Sequence, residues 1–384
     1  MNTINEMTGR ITGIPLVDLK AQYRAHREEF DRAVAKCAES ARFIGGEEHQ
    51  AFAAEFADYC GGGHVALCGN GTDALTLAIL GLLGPGDGRA EIITVSHTFI
   101  ATVEAIVSAG YRPRLVDIDP ATYCMDPASL AAAVGKDTRA VVPVHLYGRM
   151  APMDAIMEIA GKNGLSVIED AAQAHGAAWK GKGPGQWGDA ACFSFYPGKN
   201  LGAWGDGGAV FTGNSALAAR VAMHADHGRS GKYRHEFLAV NSRLDGLQAA
   251  ILRVKLRHLD DWTVARNRVA AWYGERLAGL PGVTIPAADA RGDARHVYHL
   301  YVVRLMGKDR DGVLEKLRRC GIGAGVHYPL PLHEQPALSH LGMAPGDLPH
   351  THKAAGEIIS LPMYPELTED QVDRVAAALG KAVG

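Results

Sequence analysis

The sequence contains no apolar run long enough to cross a bilayer, so no membrane partner is expected. It has six cysteines in 384 residues, and none falls in a CxxC pair. That scatter argues against a zinc knuckle or a disulfide scaffold and fits a reducing cytoplasm, so a cytoplasmic chain without a metal is expected. Neither sign of charge dominates: the net charge is −3, with basic and acidic residues interspersed. No basic footprint for nucleic acid exists in such a pattern. The N-terminal stretch MNTINEMTGRITGIPLVDL lacks a charged segment followed by an apolar one, so no signal peptide is expected. What is present is ordinary for a globular enzyme-sized chain: 47% apolar and 21% charged residues. The length suffices for a large domain and a smaller one.

From about residue 65, short β-branched runs alternate with helical runs. EIITVS (91–96), RPRLVDID (112–119), RAVVPVHLYG (139–148), LSVIED (165–170), ACFSFY (191–196) and GGAVFTG (207–213) read as strands. FIATVEAIVSAG (99–110), ASLAAAVG (128–135) and APMDAIMEIAGKNG (151–164) read as helices. This alternation predicts an α/β fold with a mostly parallel sheet covered on both faces. Ligands in such sheets sit at the carboxyl ends of the strands, which is where chemistry is expected. SRLDGLQAAILRVKLRHLDDWTVARNRVAAWYGERL (242–277) reads as one long helical stretch bridging two domains. YHLYVVRL (298–305) reads as a strand and DGVLEKLRRCG (311–321) as a helix of the second domain. The large domain is placed at 1–259 and the smaller at 260–384, with no internal repeat.

One lysine stands out. Lys199 lies in FSFYPGKNLGAWGDGGAVF (193–211), between an aromatic run and a glycine-rich run. Burial penalises an isolated ammonium. Lys199 is therefore either a solvated loop residue or an amine that must be neutral and nucleophilic, as in a Schiff base. Asp170 closes LSVIED, where it suits either a helix N-cap or a carboxylate facing a cationic ring nitrogen. An Asp at one strand end and a Lys after a later strand form the arrangement that pyridoxal phosphate chemistry requires. CGNGTDALTLAILGLLG (68–84) offers a phosphate cradle: Gly69 and Gly71 free the backbone, and Thr72 and Asp73 read as N-cap residues of a helix. A plain strand–turn–helix cap would use the same residues. Ser194 supplies a second hydroxyl, and Phe99 suits either a flat platform for the ring or a core position.

IEDAAQAHGA, FSFYPGKNLGAWGDGGAVF, CGNGTDAL, SHTFIAT, VNSRLDGLQAAIL and VHYPLPLHEQPA together resemble the DegT/DnrJ/StrS family of sugar aminotransferases. The resemblance runs from PLVDLKAQY, near residue 15, to SLPMYPELTEDQ near the C-terminal end. It implies the aspartate-aminotransferase fold (pyridoxal-phosphate fold type I). That fold has a large domain with a mostly parallel mixed sheet between helices, plus a smaller C-terminal α+β domain. It also implies pyridoxal 5'-phosphate as cofactor, with Lys199 as the Schiff-base lysine and Asp170 as partner of the pyridine nitrogen. Gln173 matches the glutamine beside the ring's phenolic oxygen, and Phe99 the aromatic stacked on the ring. Gly71, Thr72 and Ser194 match phosphate contacts. Asn241 matches an asparagine reaching the phosphate held by the other subunit, which implies a homodimer with shared sites. His327 and Tyr328 match a segment near the sugar. Arg229, with Lys232 and Arg234 in HADHGRSGKYRHEF (224–237), is read as facing a nucleotide diphosphate.

The implied reaction moves an amino group from glutamate or glutamine to a keto sugar nucleotide. Asn70 stands where many members carry serine before Gly-Thr, and this segment, HGRSGKYRH and NSRLDGLQAAIL resemble the branch acting on 3-keto sugars. The expected substrate is thus a UDP- or dTDP-linked 3-keto hexose. Alternatives are a C-4 keto sugar nucleotide, a keto-cyclitol, a sugar dehydratase, or a silent regulator on the same fold. The dehydratase branch replaces the lysine by histidine, and a silent relative is free to lose Lys199 or Asp170; both are present here.

Overall fold

The computed structural model describes residues 13–288 and 294–384. Residues 1–12, which hold most of the stretch read for a signal peptide, lie outside the described residues. Three helices come first: α1 (Leu19–Ala25), α2 (Arg27–Ser40) and α3 (Gly46–Tyr59). The alternating region follows as β1 (His64–Cys68), α4 (Gly71–Leu83), β2 (Glu91–Val95), α5 (Ala101–Ser108), β3 (Arg112–Val116) and α6 (Pro127–Ala133). It continues as β4 (Thr138–Val142), α7 (Met153–Asn163), β5 (Ser166–Asp170), β6 (Ala190–Ser194), β7 (Gly208–Thr212) and α8 (Ser215–Ala225). A short hairpin, β8 (Arg229–Gly231) and β9 (Arg234–His235), leads to α9 (Gly246–Leu256) and α10 (Leu259–Leu277). The chain ends with β10 (Val283–Thr284), β11 (Tyr301–Leu305), α11 (Arg310–Arg319), α12 (Pro349–Glu357), β12 (Ile358–Leu361) and α13 (Glu369–Val383).

The first seven strands form one sheet in the order β1-β7-β6-β5-β4-β2-β3. Only β7 runs against its neighbours; the other pairings are parallel. This is the expected α/β sheet, and its strands are apolar on both faces because both faces are covered. Ile93, Val95, Val141 and Phe193 face Phe52 and Phe56 of α3 and Met153 and Ile156 of α7. On the other face Ile92, Ala140, Ile168 and Val210 meet Leu75 and Ile79 of α4, Ile106 of α5 and Val221 of α8. Strands β10, β11 and β12 make a small antiparallel sheet. Its core joins Tyr273 of α10, Leu317 of α11 and Leu379 of α13, with Ile14 from the N-terminal segment.

Three local readings differ from the structure. The stretch 242–277 is two helices, broken at Arg257 and His258. No Gly or Pro marks the break; instead Arg257 and His258 both donate to Glu29 of α2, a contact that helical periodicity cannot reveal. The run RAVVPVHLYG stops being a strand at Val142, because Pro143 has no N–H to donate and Tyr147 adopts φ 60° in a tight turn. The run YHLYVVRL begins its strand only at Tyr301, leaving His299 and Leu300 outside it.

The C-terminal region is clasped to the large sheet by one carboxylate. Leu348, the residue before α12, gives that helix no side-chain cap. Asp117, just past β3, takes over: its carboxylate accepts from His350 N (2.9 Å), Thr351 N (2.8 Å) and Thr351 Oγ1 (2.7 Å). It also accepts from the N–H of Ile118 at 2.9 Å, and it is buried. A charged acceptor at a helix N-terminus is favoured by the helix dipole as well as by the bonds themselves. Replacing Asp117 by Ala leaves those donors unpaired in a dry site. The variant is expected to lose about 2–4 kcal/mol of stability in urea unfolding, with Asp117→Asn losing less.

Candidate active site

The carboxyl ends of β1, β2, β4, β5 and β6 open on one edge of the sheet, into a cavity of about 820 Å³. Its walls include Gly71 and Thr72 after β1, Phe99 and Thr102 after β2, Asp170 at the end of β5, Gln173 just beyond it, and Ser194 and Lys199 from β6 and the loop after it. His299, His327 and Tyr328 close it from the C-terminal region, and Leu16 and Val17 from the N-terminal segment.

Lys199 and Asp170 face this cavity from two strand ends without a direct ion pair. Burial brings the Lys199 ammonium down to about 8, and the Asp170 carboxylate opposes that shift. Burial raises Asp170, while the Thr102 hydroxyl (2.8 Å), the N–H of Ala172 (3.2 Å) and the charge of Lys199 pull it back. Asp170 is thus not a helix cap. It is a carboxylate with neutral donors behind it and an open side toward the cavity.

Gln173 is fixed by the backbone of Tyr147, whose N–H donates to Oε1 at 2.7 Å, and its Nε2 reaches the Tyr328 hydroxyl at 3.4 Å. The Tyr147 hydroxyl donates to the His327 carbonyl. His327 Nδ1 meets Ser360 Oγ at 2.8 Å, and burial followed by the Lys199 charge lowers its imidazole to about 4, so it is neutral. The residue after Lys199 ties the loop to the C-terminal region: Asn200 Nδ2 donates to the Val297 carbonyl (2.9 Å), and its Oδ1 faces His299 Nδ1 at 3.2 Å.

The helix after β1 is capped by Asn70, not by Thr72 or Asp73. Asn70 Oδ1 accepts from Asp73 N at 2.8 Å, and Asp73 in turn accepts from Ser242 Oγ at 2.5 Å. With Asp73 and Ala74 N–H groups bonded to Asn70, the N–H groups of Gly71 and Thr72 have no partner among the described residues and stand at the positive end of α4. A Cβ on Gly71 would stand 2.7 Å from the Ser194 Cβ, so only glycine lets the helix end and Ser194 share this corner. The site therefore fits pyridoxal phosphate by its own chemistry. It offers an amine of lowered basicity, a buried carboxylate open to a cationic N–H, and an anion cradle beside a hydroxyl.

Two expected site residues are elsewhere. Asn241 is exposed on the segment paired with Asp226, outside this cavity. Arg229 lies on the exposed β8–β9 hairpin, bonded to Asp226. Among the described residues lining the cavity, Lys199 is the one Lys or Arg. Phe99 is at the cavity and 54% exposed, with its ring 5.6 Å from that of Tyr328. Sequence reading missed Thr102, although it lies within SHTFIAT, because its bond to Asp170 spans 68 residues. It also missed Tyr147, His299 and Asn200, whose contacts depend on how distant turns meet.

Residues 24–380 match the family described as DegT/DnrJ/EryC1/StrS aminotransferases. A Saccharopolyspora erythraea protein named erythromycin biosynthesis sensory transduction protein EryC1 is 44% identical, over 95% of this chain and 98% of its own. The dTDP-3-amino-3,4,6-trideoxy-alpha-D-glucose transaminase of Streptomyces venezuelae is also 44% identical, over 95% of each chain. The crystal structure of S. venezuelae DesV in complex with a ketimine intermediate superposes with a TM-score of 0.92 at 44% identity, covering 96% of this chain and 98% of that one. With a family match over nearly its whole length and a cavity built for the family's cofactor, pyridoxal phosphate, the chain belongs to the DegT/DnrJ/EryC1/StrS aminotransferase family.

Proposed function

We propose that the protein transfers an amino group from glutamate or glutamine to C-3 of a dTDP- or UDP-linked 3-keto hexose. The observation that carries the reaction type is the pairing of Lys199 and Asp170 across one cavity. The C-3 assignment rests on the Asn70-Gly71-Thr72 cradle and on the dTDP-3-amino sugar transaminase among the relatives.

Pyridoxal phosphate, when bound, supplies an aldehyde to carry the amino group and a ring that takes up electrons from the substrate carbon. The chain supplies everything else. Lys199 Nζ would hold the aldehyde and, as a free amine, would move a proton at the substrate carbon as general acid–base. Asp170 keeps the ring nitrogen protonated; a cationic N–H there returns the stabilisation that burial takes from its carboxylate. Thr102 and Ala172 N–H orient that carboxylate. Gly71, Thr72 and Ser194 would hold the phosphate, Phe99 would cover the ring, and Gln173 would stand beside its oxygen. His327 and Tyr328 face the sugar.

A sugar nucleotide brings two phosphates, and one chain's cavity offers no cation for them besides Lys199. We infer that a second copy completes the site. Arg229, Lys232 and Arg234 stand on an exposed hairpin, with Tyr233 84%, Leu238 101% and Val240 53% exposed around them. Asn241 follows on the same segment. In a homodimer this segment covers its apolar side chains and delivers its cations and Asn241 to the partner's cavity.

The regulator reading draws on the sensory-transduction name of one relative. A protein that only signals has no need of an amine held near 8 and opposite a buried carboxylate. Catalysis is therefore the reading the site supports.

Lys199→Ala is expected to lower amino transfer by about a thousandfold or more while circular dichroism is unchanged. Borohydride reduction of the wild type should fix the cofactor on the Lys199 peptide. The neutral amine is the capturing form, so apoprotein capture of the cofactor should rise with pH through about 8 rather than near the ordinary lysine value. Offered matched 3-amino and 4-amino sugar nucleotides, the enzyme should convert the 3-amino compound in preference; the reverse preference refutes the C-3 assignment and leaves the transaminase standing. Mixing inactive Lys199→Ala subunits with inactive Asn241→Ala subunits should restore part of the activity. Exchange of subunits without any rescue would exclude a shared site.

A further inference from the structure

Away from the cavity, two turns meet at one carboxylate. His26 is the single residue between α1 and α2, and His258 lies in the break between α9 and α10. Between them stands Glu29 in the first turn of α2. His258 Nε2 lies 2.9 Å from Glu29 Oε1, and His26 Nδ1 lies 3.4 Å from the same oxygen. The two imidazoles lie face to face, ring centres 3.9 Å apart and tilted by 34°. The ligand atoms of the three residues lie within 4.8 Å of one another. Arg257 Nη2 donates to the other oxygen, Glu29 Oε2, at 3.2 Å, which turns Oε1 toward the imidazoles. Trp262 packs edge-on against His26, with ring centres 5.6 Å apart, and covers one side of the cluster.

We propose that His26 Nδ1, Glu29 Oε1 and His258 Nε2 form a binding site for a borderline divalent transition-metal ion such as Zn²⁺ or Ni²⁺. Two imidazoles and a carboxylate are the donor set such ions prefer, whereas Mg²⁺ and Ca²⁺ require oxygen shells. Ligand atoms around tetrahedral zinc sit about 3.3 Å apart for bond lengths of about 2.0–2.1 Å. The two separations at Glu29 Oε1, 2.9 and 3.4 Å, bracket that spacing. The imidazole pair also has a chemical reason to host a cation. His26 Nδ1 makes only a long 3.4 Å contact with Oε1, while His258 holds the same oxygen at 2.9 Å. A metal ion accepts a lone pair from all three at once. Arg257 acts as the outer partner that orients the ligating carboxylate. All three ligands are only 19–28% exposed, so water completes the shell from one side.

The site's place in the fold gives it a consequence. The α1–α2 turn is joined through the short helix α1 to the segment whose Leu16 and Val17 line the active cavity. A bound ion would pin that turn to the α9–α10 turn and so brace the segment over the cavity. The sequence reading expects no metal because its cysteines form no CxxC pair, and His258 lies 229 residues from Glu29, a contact that no spacing rule reveals.

The test uses holoenzyme exchanged through chelator and titrated separately with Zn²⁺, Ni²⁺ and Mg²⁺ by calorimetry. Zn²⁺ and Ni²⁺ are expected to bind with one equivalent per chain and Mg²⁺ not at all. Loss of even an outer partner weakens metal sites by about tenfold, so Glu29→Gln and His258→Gln should each weaken Zn²⁺ binding at least that much. Zn²⁺ at a hundred times the wild-type Kd should raise the wild-type Tm by about 3 °C and that of those variants by no more than about half as much. Absence of Zn²⁺ binding in the wild type overturns the proposal, whatever the variants do. So does binding of equal strength in both variants.

Discussion

An ammonium and a carboxylate placed in one half-closed cavity, yet not allowed to touch, are the constraint on which the rest of this structure turns. Burial pushes Asp170 up and Lys199 down, and each charge opposes the shift of the other. Such a pair persists only if the scaffold fixes both ends. The scaffold does so by hanging one from the end of β5 and the other from the loop after β6, adjacent parallel strands of a sheet with no free face. The hydrophobic layers around α3 and α7 on one side and α4, α5 and α8 on the other therefore serve the site as well as stability. They keep the strand ends in register, and the register places the charges.

Much of this frame was legible in the sequence because local rules govern it. Apolar strands between helices dictate a parallel sheet, and Gly164 at φ 63° ends α7 where a helix-terminating glycine is expected. The errors arose where a distant residue decided the local outcome. Glu29 reaches across to the turn that splits 242–277, and nothing within that stretch announces it. At the phosphate cradle the sequence offered Thr72 and Asp73 as capping side chains, but Asn70 is the cap, and Ser242 holds Asp73 from the far side of the chain. Propensity gave the helix; tertiary contact chose its cap.

The site was legible to the same extent. Lys199 and Asp170 announce themselves because a lysine among aromatics and glycines, and a carboxylate at a strand end, are costly unless used. Thr102, Tyr147 and His299 carry no such local cost, so their work of orienting others became visible only when the loops were assembled. Arg229 and Asn241 stand outside the cavity of their own chain, on a surface rich in uncovered apolar side chains. Within the single chain they have no ligand to face.

Asn200 joins the peptide beside Lys199 to the Val297 carbonyl and the His299 ring, while Gly148 and Tyr147 accept from the N–H groups of Val297 and Leu300. The 297–300 segment is thus geared to the lysine loop on one side and to the Gln173 support on the other. The backbone on either side of the cavity is therefore mechanically coupled: a displacement of the 297–300 segment would reach the residue after Lys199 through the two hydrogen bonds of the Asn200 side chain.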